Sequence, residues 1–189
     1  MRTTGMKASG LRMDRRRFLG TAVGGVLALK MTAVAAKAAG PRELSFHHTH
    51  TGENLRLEYH DGVQYLPEAM KQISFYLRDF RTGDIHPIDP GVLDLLHVLC
   101  HQTVGRTLPF HVISAYRSPK TNAMLRQKSH GVAKHSLHMQ GKAIDIRLPG
   151  CDTRHLYRAA LGLRRGGVGY YAKADFIHVD TGRVRTWRG

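Results

Sequence analysis

The sequence predicts an α+β domain, with helices packed on one face of a small antiparallel sheet. Three observations point there. Two long stretches with helical apolar spacing fall within residues 65–99. Short strand-like segments crowd the second half of the chain. The turns between the last of these are too short for crossover helices, so those strands should pair antiparallel.

Along the chain, residues 44–50 and 55–60 read as strands joined by Thr51-Gly52-Glu53-Asn54, a hairpin. Residues 65–80 carry Leu66, Ala69, Ile73, Tyr76, Leu77 and Phe80 on one side of a helix, with Pro67 in its first turn. A second helix starts with Asp89 as N-cap and Pro90 at N1, and its apolar residues run from Val92 to Leu99. Residues 110–115 form a strand, 120–127 a short helix, and 143–148 a strand. Residues 153–163 form a helix capped by Asp152, and 168–171, 176–180 and 184–187 are short strands. No repeat and no low-complexity linker interrupts this domain.

The chain has 189 residues, 29 Lys+Arg against 14 Asp+Glu, and a formal net charge of +15. Such a charge suggests nucleic acid, but its location does not. Residues 1–38 hold eight Lys/Arg and one acid, a net +7, and residues 39–189 hold 21 and 13, a net +8. The first segment reads as an export signal. Arg15-Arg16-Arg17-Phe18-Leu19 opens an uncharged apolar run over 18–29. Ala33-Val34-Ala35 and Ala36-Lys37-Ala38 both suit cleavage. The run is 12 residues long, and a bilayer span needs about 20, so no permanent membrane span is expected. Two arginines before x-Phe-Leu resemble the twin-arginine signal. Met1, Met6 and Met13 all remain candidate starts. Residues 39–189, the folded domain, would then work in the periplasm after the twin-arginine translocon releases them and the signal is removed. In that compartment nucleic acid is no partner, and an anionic cell wall becomes the counterpart of a basic surface.

Two cysteines are too few for a disulfide scaffold. An oxidising compartment permits a bridge between Cys100 and Cys151. The apolar helical setting of Cys100 suits a buried thiol equally well.

Thirteen histidines are many for this length. His47, His48 and His50 fall in the first hairpin, and His97 and His101 suit a helix surface. His138 is set apart by the residues after it. In the strand from Ala143, Ile144 and Ile146 share one face and Asp145 takes the other. In Phe176-Ile177-His178-Val179-Asp180, Ile177 and Val179 share a face opposite His178. If the two strands are neighbours with β-branched residues inward, Asp145 and His178 project together, and Gly141 lets His138 join them. Two imidazoles and a carboxylate make an open Zn²⁺ site, with the fourth position left for water. A base is then needed. Asp175 lies three residues before His178. Asp180 is its rival, and could equally orient a metal-bound imidazole.

Ser136-x-His138-x-x-Gly141-x-Ala143-x-Asp145, with Asp175-x-x-His178 downstream, resembles the metal signature of the M15 family of zinc peptidases. That family includes D-alanyl-D-alanine carboxypeptidases and peptidoglycan endopeptidases. Ser114-Ala115-Tyr116-Arg117-Ser118-Pro119 resembles its upstream strand-to-helix stretch. His86-Pro87-Ile88-Asp89, Gly166-Gly167-Val168-Gly169-Tyr170-Tyr171 and His178-Val179-Asp180-Thr181-Gly182 extend the resemblance over residues 42–188. They narrow it to the twin-arginine-exported subgroup of the murein endopeptidase K type.

The resemblance implies a Hedgehog/D-Ala-D-Ala peptidase-like fold with the zinc site on the sheet. It implies one Zn²⁺ per chain, held by His138, Asp145 and His178. It implies Asp175 as catalytic base and Arg117 at the substrate carbonyl or carboxylate. Ser114, Ser136 and Asp180 would be supporting or substrate-binding groups. The implied activity is hydrolysis of peptide cross-links in peptidoglycan by a monomer, with the first hairpin and residues 128–135 as groove walls. Two other readings stay open: a non-catalytic zinc-containing cell-wall module, and a metal carrier built on His47, His48 and His50.

Overall fold

The computed structural model describes residues 40–129 and 131–189. The segment read as an export signal, 1–38, lies outside them, as does His130. The order of elements is β1 (Arg42–His48), β2 (Asn54–His60), α1 (Pro67–Tyr76), α2 (Pro90–Val104), β3 (Pro109–Ser114), α3 (Pro119–Lys128), β4 (Ala143–Arg147), α4 (Thr153–Leu163), β5 (Gly167–Tyr171), β6 (Phe176–Asp180) and β7 (Arg185–Arg188). A 3-10 turn, Leu137–Gln140, precedes β4. Among the described residues no helix is long and apolar enough to cross a membrane.

The α+β class stands, but the sheet is larger and more mixed than the sequence suggests. Among the described residues, seven strands join one sheet in the order β2-β1-β3-β4-β6-β5-β7. Two pairs are parallel, β1 with β3 and β5 with β7. The first has a simple cause. Two helices lie between β1 and β3, which is chain enough for a crossover. The second arises because residues 181–184 carry the chain past the end of β5 to its outer side, so β7 runs against β6 and along β5.

Local chemistry places the helices. Proline stands in the first turn of α1, α2 and α3, where its missing N–H costs nothing. Asp89 accepts from the Gly91 amide at 2.8 Å and Asp152 from that of His155 at 3.0 Å. Asp89 also receives the Thr181 hydroxyl at 2.7 Å, and its own amide donates to the Gly141 carbonyl. The start of α2 is thereby pinned to the two turns that flank the site.

The core lies between the helices and one face of the sheet. Phe46, Phe110, Val112, Ile144, Ile146, Ile177 and Val179 supply the sheet side, and Ile73, Leu93, Leu96, Leu99 and Leu156 the helix side, all essentially inaccessible. Each such side chain contributes about 1.5–3 kcal/mol by leaving water. Because alternate residues face opposite ways, this layer forces Asp145 and His178 onto the other face. Cys100 is buried and Cys151 half-buried, and both are free thiols.

Candidate metal centre

In the register of β4 against β6, Asp145 stands opposite His178 and Ala143 opposite Asp180. The third side chain comes from the 3-10 turn. Ser136 caps it, its Oγ accepting from the His138 amide at 3.3 Å. Gly141 ends it at φ 64°, where a Cβ would lie 2.1 Å from the Pro87 carbonyl oxygen. Only glycine fits that close approach, and it lets the chain fold His138 back over the sheet.

His178 Nδ1 is 2.9 Å from Asp145 Oδ1 and 3.1 Å from His138 Nε2, and His138 Nε2 is 3.3 Å from the same carboxylate oxygen. All three residues are buried, and their ligand-type atoms lie within 4.8 Å of one another. The remote ring nitrogens decide what these atoms are. His138 Nδ1 is 2.6 Å from the Ala115 carbonyl oxygen. A carbonyl only accepts, so Nδ1 carries the proton and Nε2 a lone pair. His178 Nε2 donates to Asp180 Oδ2 at 2.9 Å, which leaves a lone pair on Nδ1 of the neutral ring. With both rings neutral, two imidazole lone pairs and a carboxylate thus converge on one point. Such a set calls for a cation, and two nitrogens with one oxygen suit Zn²⁺.

The electrostatics show how much negative charge gathers around the two rings. Burial opposes the charge of Asp145, but His138 and His178 hold its carboxyl far below the usual range. Burial likewise lowers His178, yet its bonds to Asp145 and Asp180 outweigh this and raise it. His138 is lowered, chiefly by burial. Asp180 is fully buried and held low despite burial, because its carboxylate accepts from His178, Arg185 and the Gly167 and Gly182 amides. Arg185 binds both its oxygens, at 3.1 and 2.6 Å. Saturated in this way, Asp180 orients His178 and has no lone pair to spare for a substrate proton.

Arg117 lies beside the cluster. Its Nη2 donates to Asp145 Oδ2 and to Ser114 Oγ, both at 3.1 Å. Its Nε is buried without a partner. The cluster forms part of the lining of a cleft of about 460 Å³. One wall is aromatic: Tyr171 stacks on Phe176 at 4.5 Å, and Trp187 Nε1 donates to the Tyr171 hydroxyl at 3.0 Å. Another is the loop holding Ser129, Gly131, Val132 and Ala133, much of the segment expected as a groove wall. The first hairpin does not line this cleft.

The structure therefore brings together His138, Asp145, His178, Arg117, Ser114, Ser136 and Asp180. It does not bring Asp175 to them. Asp175 has φ 52° and an exposed side chain that bonds the Thr153 hydroxyl and, at 3.4 Å, Arg147 Nη1. It is not among the residues that line the cleft. The residue adopts a left-handed conformation that Asp tolerates, and this turn sends its carboxylate toward the start of α4.

The hairpin histidines do not converge either. His48 is buried, its Nδ1 accepting from the His50 and Thr51 amides, while His47 pairs with Asn54. Among the described residues, His138, Asp145 and His178 form the one group of three that could hold a metal. Sequence reasoning missed Arg185, Tyr171 and Trp187. The alternation of residues 185–188 on a short strand was the local sign for Arg185 and Trp187, and Tyr171 closes the Gly166–Tyr171 stretch.

Comparison with known proteins adds an independent finding. Residues 36–187 match the M15_2 peptidase family, described as peptidoglycan L,D-endopeptidase MepK. The chain is 38% identical over 177 residues to the Escherichia coli K12 protein named peptidoglycan L,D-endopeptidase MepK, covering 92% of this chain and 97% of that one. It is 43% identical over 149 residues to a Haemophilus influenzae protein named probable peptidoglycan L,D-endopeptidase MepK, covering 79% and 80%.

Proposed function

The chain belongs to the M15_2 peptidase family, and on that premise we propose that it is a zinc-dependent murein endopeptidase that hydrolyses cross-links between stem peptides. The observation that carries this is the convergence of three lone-pair atoms beside a fixed arginine in a cleft. His138, Asp145 and His178 would hold one Zn²⁺. Bound there, the ion supplies a Lewis acid for an amide carbonyl and lowers the pKa of water toward 7.

The chain's own residues do the rest. Asp180 keeps the proton on His178 Nε2, so that Nδ1 faces the cluster. Arg117, tethered by Asp145 and Ser114, presents a guanidinium that hydrogen-bonds the scissile oxygen as negative charge develops. The aromatic wall of Tyr171, Phe176 and Trp187 shields the extended peptide from water. The base role read from the sequence for Asp175 would require its carboxylate to leave Thr153 and Arg147.

The names of the relatives favour a bond from an L-centre carbonyl to a D-centre amine. Cross-links between meso-diaminopimelate residues have that form, and D-Ala–diaminopimelate bonds are the alternative. Residues 1–38 would direct export through the twin-arginine translocon and be removed, leaving a periplasmic monomer.

Digestion of purified sacculi by the zinc-loaded protein, with chromatography of the muropeptides, tests the reading. Cross-linked dimers should disappear as monomers accumulate. Unchanged dimers would overturn it, and tight binding to sacculi without product would favour the non-catalytic module.

A further inference from the structure

Asp79 lies in the loop after α1, 38 residues before Arg117 in sequence, yet only 1% exposed. Its Oδ2 accepts the Ser118 amide at 2.9 Å and its Oδ1 the Arg81 amide at 3.0 Å. The Thr121 and Ser118 side chains lie close as well, and together these neighbours outweigh burial and keep the carboxyl low.

Ser118 is the N-cap of α3, its Oγ accepting from the Thr121 amide at 3.2 Å. In a capping box the residue at N3 reaches back to take the N-cap amide, and it does so with a Glu or Gln side chain. Thr121 occupies N3 and is too short. Asp79 supplies the missing carboxylate from another part of the chain.

The consequence falls on the residue before the cap. Three successive amides are held by two segments: Tyr116 by the Leu77 carbonyl at 3.1 Å and Ser118 by Asp79, both just after α1, and Arg117 by the His138 carbonyl at 3.2 Å. The carbonyl of Ala115 receives His138 Nδ1. Residues 115–118 thus join the loop after α1 to a candidate metal ligand. The guanidinium of Arg117 is tethered through Nη2 alone, so any drift of its backbone passes into the cleft.

We propose that Asp79 is a positioning residue for the hydrolysis: it holds the 115–118 turn so that Arg117 reaches the scissile oxygen. It touches no substrate. Both its oxygens face donors, so an amide in its place would turn an NH₂ group toward one of them, and the turn must shift. A misplacement of about 1 Å can cost about 100-fold in rate. The inference rests on the proposed hydrolysis, and its test separates the two.

The test uses zinc-loaded Asp79→Asn. Its zinc content and affinity should stay within about threefold of the parent, while kcat falls about 10- to 100-fold. In an Arg117→Ala background the same change should cost nothing further. The Arg117 Nε–H resonance, assigned by its loss in Arg117→Lys, should shift or broaden in Asp79→Asn. Should that variant not fold, Thr121→Val removes only a hydroxyl beside Asp79 and should cost roughly fivefold in kcat, again not in Arg117→Ala. An unchanged kcat, an equal loss in both backgrounds, or an unmoved Nε–H resonance overturns the proposal. If the parent cleaves no murein cross-link, the hydrolytic reading fails, and the resonance alone still decides whether Asp79 positions Arg117.

Discussion

His178 and Asp145 face each other across β4 and β6, with Nδ1 of the one 2.9 Å from Oδ1 of the other. The pair is buried and lies within reach of His138 Nε2. Removing the carboxylate charge leaves two imidazoles, too few to hold a divalent ion firmly. Asp145→Asn should reduce zinc from one per chain to nearly none, measured by elemental analysis after dialysis. A chelator should abolish hydrolysis by the parent, and zinc should restore it. Because zinc binds only the folded state, chelation should also lower the melting temperature, by the equivalent of about 4 kcal/mol if free zinc stands at 1,000 times Kd.

Arg117 should matter to rate far more than to metal. Arg117→Lys keeps the charge but loses the fork that spans Asp145, Ser114 and the substrate. A loss of about 10²–10³ in kcat is expected, the usual effect of removing an oxyanion donor. Zinc content, measured in the same samples, should not change.

Asp175 offers a sharp contrast. A general base contributes about 10²–10⁴ in rate. With its carboxylate held by Thr153 and Arg147, Asp175→Asn should lose less than about tenfold in kcat. A loss in the full range, with zinc retained, would show that the side chain swings into the cleft during turnover.

Asp180→Asn should act through the metal. The variant cannot satisfy Arg185, two backbone amides and His178 together, and His178 loses the partner that fixes its tautomer. Zinc affinity should weaken about 10- to 100-fold, read by competition with a chromophoric chelator. Stability should fall as well, because buried donors are left unpaired.

His48 should make the fold acid-sensitive. Burial, with His50 second, pushes its pKa from 6.5 down to about 4, against a small opposing pull from Glu53. The unfolded chain therefore binds a proton that the folded chain refuses. The associated stability is complete above pH 6.5 and is lost as pH falls from there toward 4, by on the order of 3 kcal/mol. His48→Asn keeps an acceptor for the His50 and Thr51 amides and removes the titration. Its urea-denaturation free energy, measured in chelator, should vary less between pH 7 and pH 4.5 than that of the parent.

Much of this was legible in the residues. Asp89 and Asp152 announce their helices because an N-cap bond spans only two or three residues. The alternation in residues 143–147 and 176–180 places Asp145 and His178 opposite the β-branched layer for an equally local reason. Gly141 marks the turn that returns His138. Asp175 shows the limit of the same reasoning. Its spacing from His178 is right for a base, but one left-handed residue turns its carboxylate toward α4, and no neighbour in sequence signals that.

The sequence by itself determined the element types, the faces of the strands and the identity of the converging histidines and aspartate. Each arises from a periodicity or a cap that operates over a few residues. Tertiary structure alone decided that β1 lies parallel to β3, that Ala115 and Asp180 select the facing nitrogens of His138 and His178, and that Asp79 completes the cap beside Arg117. These relations join segments tens of residues apart. They come into being only when burial of the apolar layer brings the segments together, and unpaired polar groups left beside that layer must then find whatever partners the packing supplies.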